Sequence, residues 1–86
     1  MKQFTYTITD PLGIHGRPAG DLVKLAKGFA GTKITIEKDG KSTDLTRLIM
    51  LMGLGVKGGD TVTIIAQGDD EQAAVEKIES FLKENM

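Results

Sequence analysis

The single histidine of this chain, His15, stands in Leu12-Gly13-Ile14-His15-Gly16-Arg17-Pro18 and is the side chain best equipped for covalent chemistry. An imidazole can serve as nucleophile, general acid or base, or metal ligand. A lone histidine ordinarily packs or caps, but three neighbours point elsewhere. Gly16 leaves room on one side, so a bulky group can approach. Arg17 is permanently charged and presents a fork of donors suited to phosphate oxygens. A helix beginning near Gly16 would aim unpaired N–H groups and a partial positive charge at the same point, which favours an anion. The set is what a transiently phosphorylated histidine needs: a neutral nucleophile, then a stabilised phosphoryl group.

Other chemistries lack their residues. With no cysteine there is no disulfide framework and no thiol nucleophile, and one histidine cannot build a zinc centre, so neither metal nor cofactor is expected. The glycine-rich run Gly53-Leu54-Gly55-Val56-Lys57-Gly58-Gly59 has no Ser or Thr after its lysine and precedes a strand, so it reads as turns rather than a phosphate loop. No residue near His15 in sequence has the character of a general base. A chain of 86 residues closes one modest core with little left for a deep cavity, which suits a carrier better than an enzyme.

Eleven Lys and Arg against twelve Asp and Glu give a net charge of −1, without the strong positive field of a nucleic-acid binder. The balance is uneven along the chain. Residues 69–86 carry −4, leaving +3 on residues 1–68. No stretch approaches the roughly 18 apolar residues of a membrane span, and the N-terminus has no long apolar core behind its lysine, so a cytoplasmic protein without membrane insertion is expected.

The elements that must position His15 follow from periodicity. Phe4 to Thr9 alternates large apolar residues with Thr, the pattern of a half-buried strand ended by Asp10-Pro11. Ala19, Leu22, Val23, Ala26 and Phe29 form the apolar stripe of a helix starting near Gly16, with Pro18 tolerated in its first turn. Ile34 and Ile36 begin a strand that turns at Asp39-Gly40 into Lys41-Ser42-Thr43, and Asp60 to Gln67 forms a fourth strand with Val62, Ile64 and Ala66 on one face. Asp69 is expected to cap a last helix whose stripe is Ala74, Val75, Ile78, Phe81 and Leu82. The order βαββαβα in a single domain, residues 1–86, predicts an α+β sandwich, with helices over one face of a small antiparallel sheet.

The middle helix does not balance. Leu48-Ile49-Met50-Leu51-Met52 places five apolar residues in succession over less than two turns, so some must face water. Clustered, Met-containing apolar surface points to a docking patch.

Leu12-Gly13-Ile14-His15-Gly16-Arg17-Pro18-Ala19 resembles the active-site signature of the HPr family, the histidine-containing phosphocarriers of the bacterial phosphoenolpyruvate-dependent sugar phosphotransferase system. The likeness covers essentially the whole chain, with Gly40-Lys41-Ser42, Leu48, Met52, Leu54-Gly55 and Gly68-Asp69-Asp70-Glu71 at the family's later motifs. The resemblance implies an open-faced β-sandwich, with a four-stranded antiparallel sheet covered on one face by three helices. It also implies that His15 accepts a phosphoryl group on Nδ1 from enzyme I and passes it to the IIA components of sugar transporters, with Arg17 stabilising the phosphohistidine. Carried over by position, partners would dock on Gly16, Gly20, Lys24, Lys27, Leu48, Ile49 and Met52. The expectation is a monomer, read by regulatory proteins as well, that is a carrier rather than an enzyme.

Two positions depart from the family pattern. The residue after the histidine is usually Ala or Thr, and Gly16 is expected to loosen the helix start by up to about 1 kcal/mol. Many relatives from low-GC Gram-positive bacteria open the middle helix with a regulatory serine, and that slot holds Arg47, preceded by Thr46. Thr46 is the one substitute acceptor beside that slot but is expected instead to cap the helix, so regulation there is expected to be absent. Two other functions share many of these residues: a paralogue in a nitrogen-related or regulatory phosphorelay, and an interaction module that binds regulators through Leu48, Ile49 and Met52 without transfer.

Overall fold

The computed structural model describes residues 1–86. Its elements are β1 (Lys2–Thr7), α1 (Gly16–Lys27), β2 (Thr32–Lys38), β3 (Lys41–Asp44), α2 (Leu48–Gly53), β4 (Thr61–Gly68) and α3 (Glu71–Asn85), in the expected βαββαβα order. The four strands form one antiparallel sheet in the order β1-β4-β2-β3, an open sheet with three helices on one face. Register aligns the apolar positions: Phe4 pairs with Ile64, and Ile64 with Ile36, so one row of large side chains crosses three strands toward the helices. Ile34, Ile36, Val62, Ile64 and Ala66 are buried against Ala19, Leu22, Val23 and Ala26 of α1 and Ala74, Ile78 and Leu82 of α3. Asp39 and Gly40 both take positive φ, 51° and 81°, as the tight two-residue turn between β2 and β3 requires.

Several boundaries differ from the sequence reading, and β4 runs one residue later at each end than the expected Asp60 to Gln67. The first strand ends at Thr7 rather than Thr9, although Ile8 still bonds to Asp60 and Gly59 beyond the ladder. Phe29 lies past the end of α1, yet still packs on the core from the following loop. The residue at the start of α3 is Asp70, not Asp69, and neither caps it by side chain. Instead Glu71 Oε1 accepts the Gly68 N–H at 3.2 Å, and the hydroxyl of Thr32, the one buried polar side chain, accepts the Asp70 N–H at 2.9 Å. Thr46 does not cap α2 either: Arg47 holds that place, again without a side-chain cap. Thr46 turns back to donate both its N–H (2.9 Å) and its hydroxyl (2.6 Å) to Asp44 Oδ1. Those two bonds, the hydroxyl's first, hold the Asp44 carboxyl below its ordinary range despite some desolvation. No helix is long and apolar enough to cross a membrane.

Candidate functional site

The path from β1 to His15 is fixed by close backbone packing. Asp10 starts a turn in which its Oδ1 accepts the Leu12 N–H and its carbonyl accepts the Gly13 N–H, both at 2.9 Å. Gly13 has φ 71° and lies flush against the 55–60 loop, where a Cβ would meet the Val56 carbonyl oxygen at 2.2 Å. Gly58 mirrors it, since a Cβ there would stand 2.7 Å from the Asp10 carbonyl oxygen. Ile14 is buried in the core and donates its N–H to Val56 O at 3.2 Å. The residue before the histidine is thus anchored by both side chain and backbone.

The opposing loop is itself clamped. Lys38 Nζ donates to Gly55 O at 2.9 Å and lies 2.9 Å from Asp60 Oδ2, which also accepts the Lys57 N–H at 2.8 Å. The Lys57 N–H first, then the Lys38 ammonium, hold the Asp60 carboxyl below its ordinary range. A carboxylate so lowered contributes stability above its unfolded pKa of about 3.9 and loses it as pH falls through the folded value. The melting temperature should therefore drop below about pH 4, and Asp60→Asn should be less stable at pH 7 with a shallower acid limb; equal slopes in a thermal-unfolding series would contradict this clamp.

His15 occupies the N-cap position of α1 in extended conformation (φ −146°, ψ 162°), its carbonyl accepting the Ala19 N–H at 3.0 Å. Its side chain is about a third exposed, but Nε2 is fully buried, has no hydrogen-bond partner and lies 3.5 Å from Asp10 Oδ2. The exposed part of the ring is therefore on its other atoms. Asp10 is the acidic neighbour that sequence reasoning missed: it stands five positions away, and only the turn at Gly13 folds it back.

Gly16 follows with φ 39°, a left-handed conformation that side chains rarely adopt, and open space around it. This corrects the expected cost of glycine here, because the first helical position takes a shape that glycine tolerates best. Gly20 also faces open space, whereas Gly13 serves packing rather than access. The Arg17 side chain is 93% exposed, and its guanidinium meets only Asp21 Oδ2, at 4.0 Å one helical turn on. So loose a pair leaves it free to swing to an anion at His15. Arg17→Glu should consequently leave the melting temperature within a few degrees of the parent; a large drop in thermal unfolding would make Arg17 structural.

On α2 only Leu51 is buried, while Leu48, Met50 and Met52 are about half exposed and Ile49 is 85% exposed. Met50 belongs to this surface although the docking positions carried over from the resemblance omit it. Leu12, 70% exposed, adds an apolar residue within the His15 loop. Lys24 and Lys27 lie exposed on α1. No three His, Cys, Asp or Glu side chains are grouped to hold a metal.

Residues 2–84 match the family model described as "PTS HPr component phosphorylation site". The chain is 39% identical to the phosphocarrier protein HPr of Lysinibacillus sphaericus, over 98% of this chain and 94% of the relative, and 38% identical to that of Mycoplasma genitalium, over 99% and 97%. Among solved structures it superposes on HPr from Thermoanaerobacter tengcongensis with a TM-score of 0.92 at 35% identity, covering 96% and 92% of the two chains. The swapped dimer of the Bacillus subtilis catabolite repression protein Crh gives a TM-score of 0.77 at 37% identity, covering 100% of this chain and 98% of that one. Family membership alone therefore does not dictate one assembly state. From the His15 signature through the last helix, this chain belongs to the HPr family of phosphotransferase-system phosphocarriers.

Proposed function

We propose that His15 Nδ1 accepts a phosphoryl group from phosphorylated enzyme I and passes it to sugar-specific IIA components. The supporting observation is the asymmetry of the ring: Nε2 is buried beside a carboxylate, so Nδ1 is the nitrogen left to react. Arg17 stabilises the phosphohistidine, aided by the free N–H groups at the start of α1. Enzyme I and the IIA components dock over Gly16, Gly20, Lys24, Lys27, Leu48, Ile49 and Met52, to which exposure adds Met50. The net positive charge of the first 68 residues suits an acidic partner face, so association should weaken with salt. The protein works as a monomer in the cytoplasm, and catalysis resides in its partners.

Incubation with enzyme I and labelled phosphoenolpyruvate tests the assignment. The label should be acid-labile, base-stable and absent from His15→Ala; no label on the parent with any enzyme I would favour the interaction module.

Thr46 is not an acceptor in this reading. Its hydroxyl already donates to Asp44, and a phosphate there would lose that bond and set a dianion beside the carboxylate. Efficient ATP-dependent phosphorylation of Thr46 would contradict it.

A further inference from the structure

We propose that Asp10 is a positioning residue for His15: its carboxylate selects the ring form with the proton on Nε2 and balances the charge the ring gains on phosphorylation. The inference rests on the carrier reading for its second half, and on geometry alone for its first. Nε2 is fully buried and meets no hydrogen-bond acceptor or donor, and the polar group it faces is Asp10 Oδ2 at 3.5 Å. A lone pair on Nε2 would be set beside an anionic oxygen, whereas an N–H there brings its positive end near the carboxylate. The Nε2–H tautomer leaves the lone pair on Nδ1.

In the transfer step that lone pair forms the N–P bond. The bond between phosphorus and the donor breaks, and its electron pair leaves with the donor. Nε2 keeps its proton throughout, so the phosphorylated ring carries one positive charge shared between its nitrogens. Asp10 is placed to pair with that charge, and the 3.5 Å gap can close to a charge-assisted hydrogen bond as it develops. Return of the phosphoryl group to an acceptor reverses each change. A carboxylate that orients a histidine and stabilises its cationic form without taking its proton is the arrangement known from hydrolase triads.

Asp10 is well held for this task. Its other oxygen, Oδ1, accepts the Leu12 N–H at 2.9 Å, its N–H is donated to Met86 O at 2.9 Å, and its carbonyl packs against Gly58. The first of these contacts allows the charge to be separated from the turn. Asparagine at this position keeps an oxygen for the Leu12 N–H but removes the negative charge; alanine removes both.

Asp10→Asn should slow single-turnover phosphorylation by enzyme I about tenfold or more, with a melting temperature close to the parent's. Ring nitrogen chemical shifts of 15N-labelled His15, read at a pH where the ring is neutral, should show protonated Nε2 in the parent and a several-fold rise of the Nδ1–H form in Asp10→Ala. Unchanged transfer in Asp10→Asn would remove the charge-balancing role. Identical ring shifts in parent and Asp10→Ala would remove the positioning role. Because the shifts need no partner protein, they decide the placement of Asp10 even if the parent takes no label, an outcome that would defeat the carrier reading instead.

Discussion

Gly13→Ala should destabilise the fold by about 3 kcal/mol or more, lowering the melting temperature by about 12 to 24 °C. Two costs combine. The backbone at φ 71° is left-handed, which disfavours any side chain by about 1–2 kcal/mol. The added methyl would also lie 2.2 Å from the Val56 carbonyl oxygen and 2.6 Å from the Lys57 Cα, so backbone rather than a flexible side chain must move. For a domain whose whole stability is on the order of 5–10 kcal/mol, this is a large fraction. The same substitution at Gly20 is the control: helical, with nothing near its Cβ, it should stabilise by up to about 1 kcal/mol. If Gly13→Ala folded as stably as the parent in denaturant titration, the 55–60 loop would have to be free to retreat. The loss should also reach His15, because Ile14 hangs from the same Val56 carbonyl that the new methyl would displace.

That coupling marks the boundary of what the sequence made legible. Patterns that recur within one element were readable: the alternation of Val62, Ile64 and Ala66, the stripe of Ala19, Leu22, Val23 and Ala26, and the Asp39-Gly40 turn all stand where periodicity and turn chemistry put them. Contacts between irregular segments were not. Asp10 looked like a strand terminator and Gly58 like part of a plain turn, yet the two lie against each other, and their packing steers a carboxylate to the buried side of the histidine ring. Nothing in residue type distinguishes a glycine that opens a path from one that lets two backbones touch. Gly16 and Gly13 differ only once φ and neighbours are known.

Capping assignments failed for a related reason. Thr46, Asp69 and Asp70 are all residues that commonly cap helices, so residue type could not rank them. Thr46 was claimed by Asp44 two positions earlier, and the start of α3 is satisfied instead by Thr32 from another strand and by Glu71 reaching back to Gly68. Such choices are settled by tertiary geometry and have small local signals.

The imbalance of α2 was legible, and its consequence can be measured by two substitutions two positions apart, on opposite sides of the helix. Leu51→Ala should cost about 2–5 kcal/mol, because Leu51 is the buried member of the helix and its loss leaves a cavity beneath α2. Ile49→Lys should change stability by no more than about 0.5 kcal/mol, since that side chain is 85% exposed and gives up almost no burial. Its effect belongs to association. If the proposed docking face is right, a lysine at the centre of the apolar patch must be desolvated when a partner covers Leu48, Met50 and Met52, so the KM of this protein as a substrate of enzyme I should rise tenfold or more, with kcat changed much less. Chemical denaturation and transfer kinetics on the pair separate the two roles. A large stability loss in Ile49→Lys would place that residue in the core, whereas unaltered KM would mean that the exposed face of α2 is not where the phosphoryl partners bind.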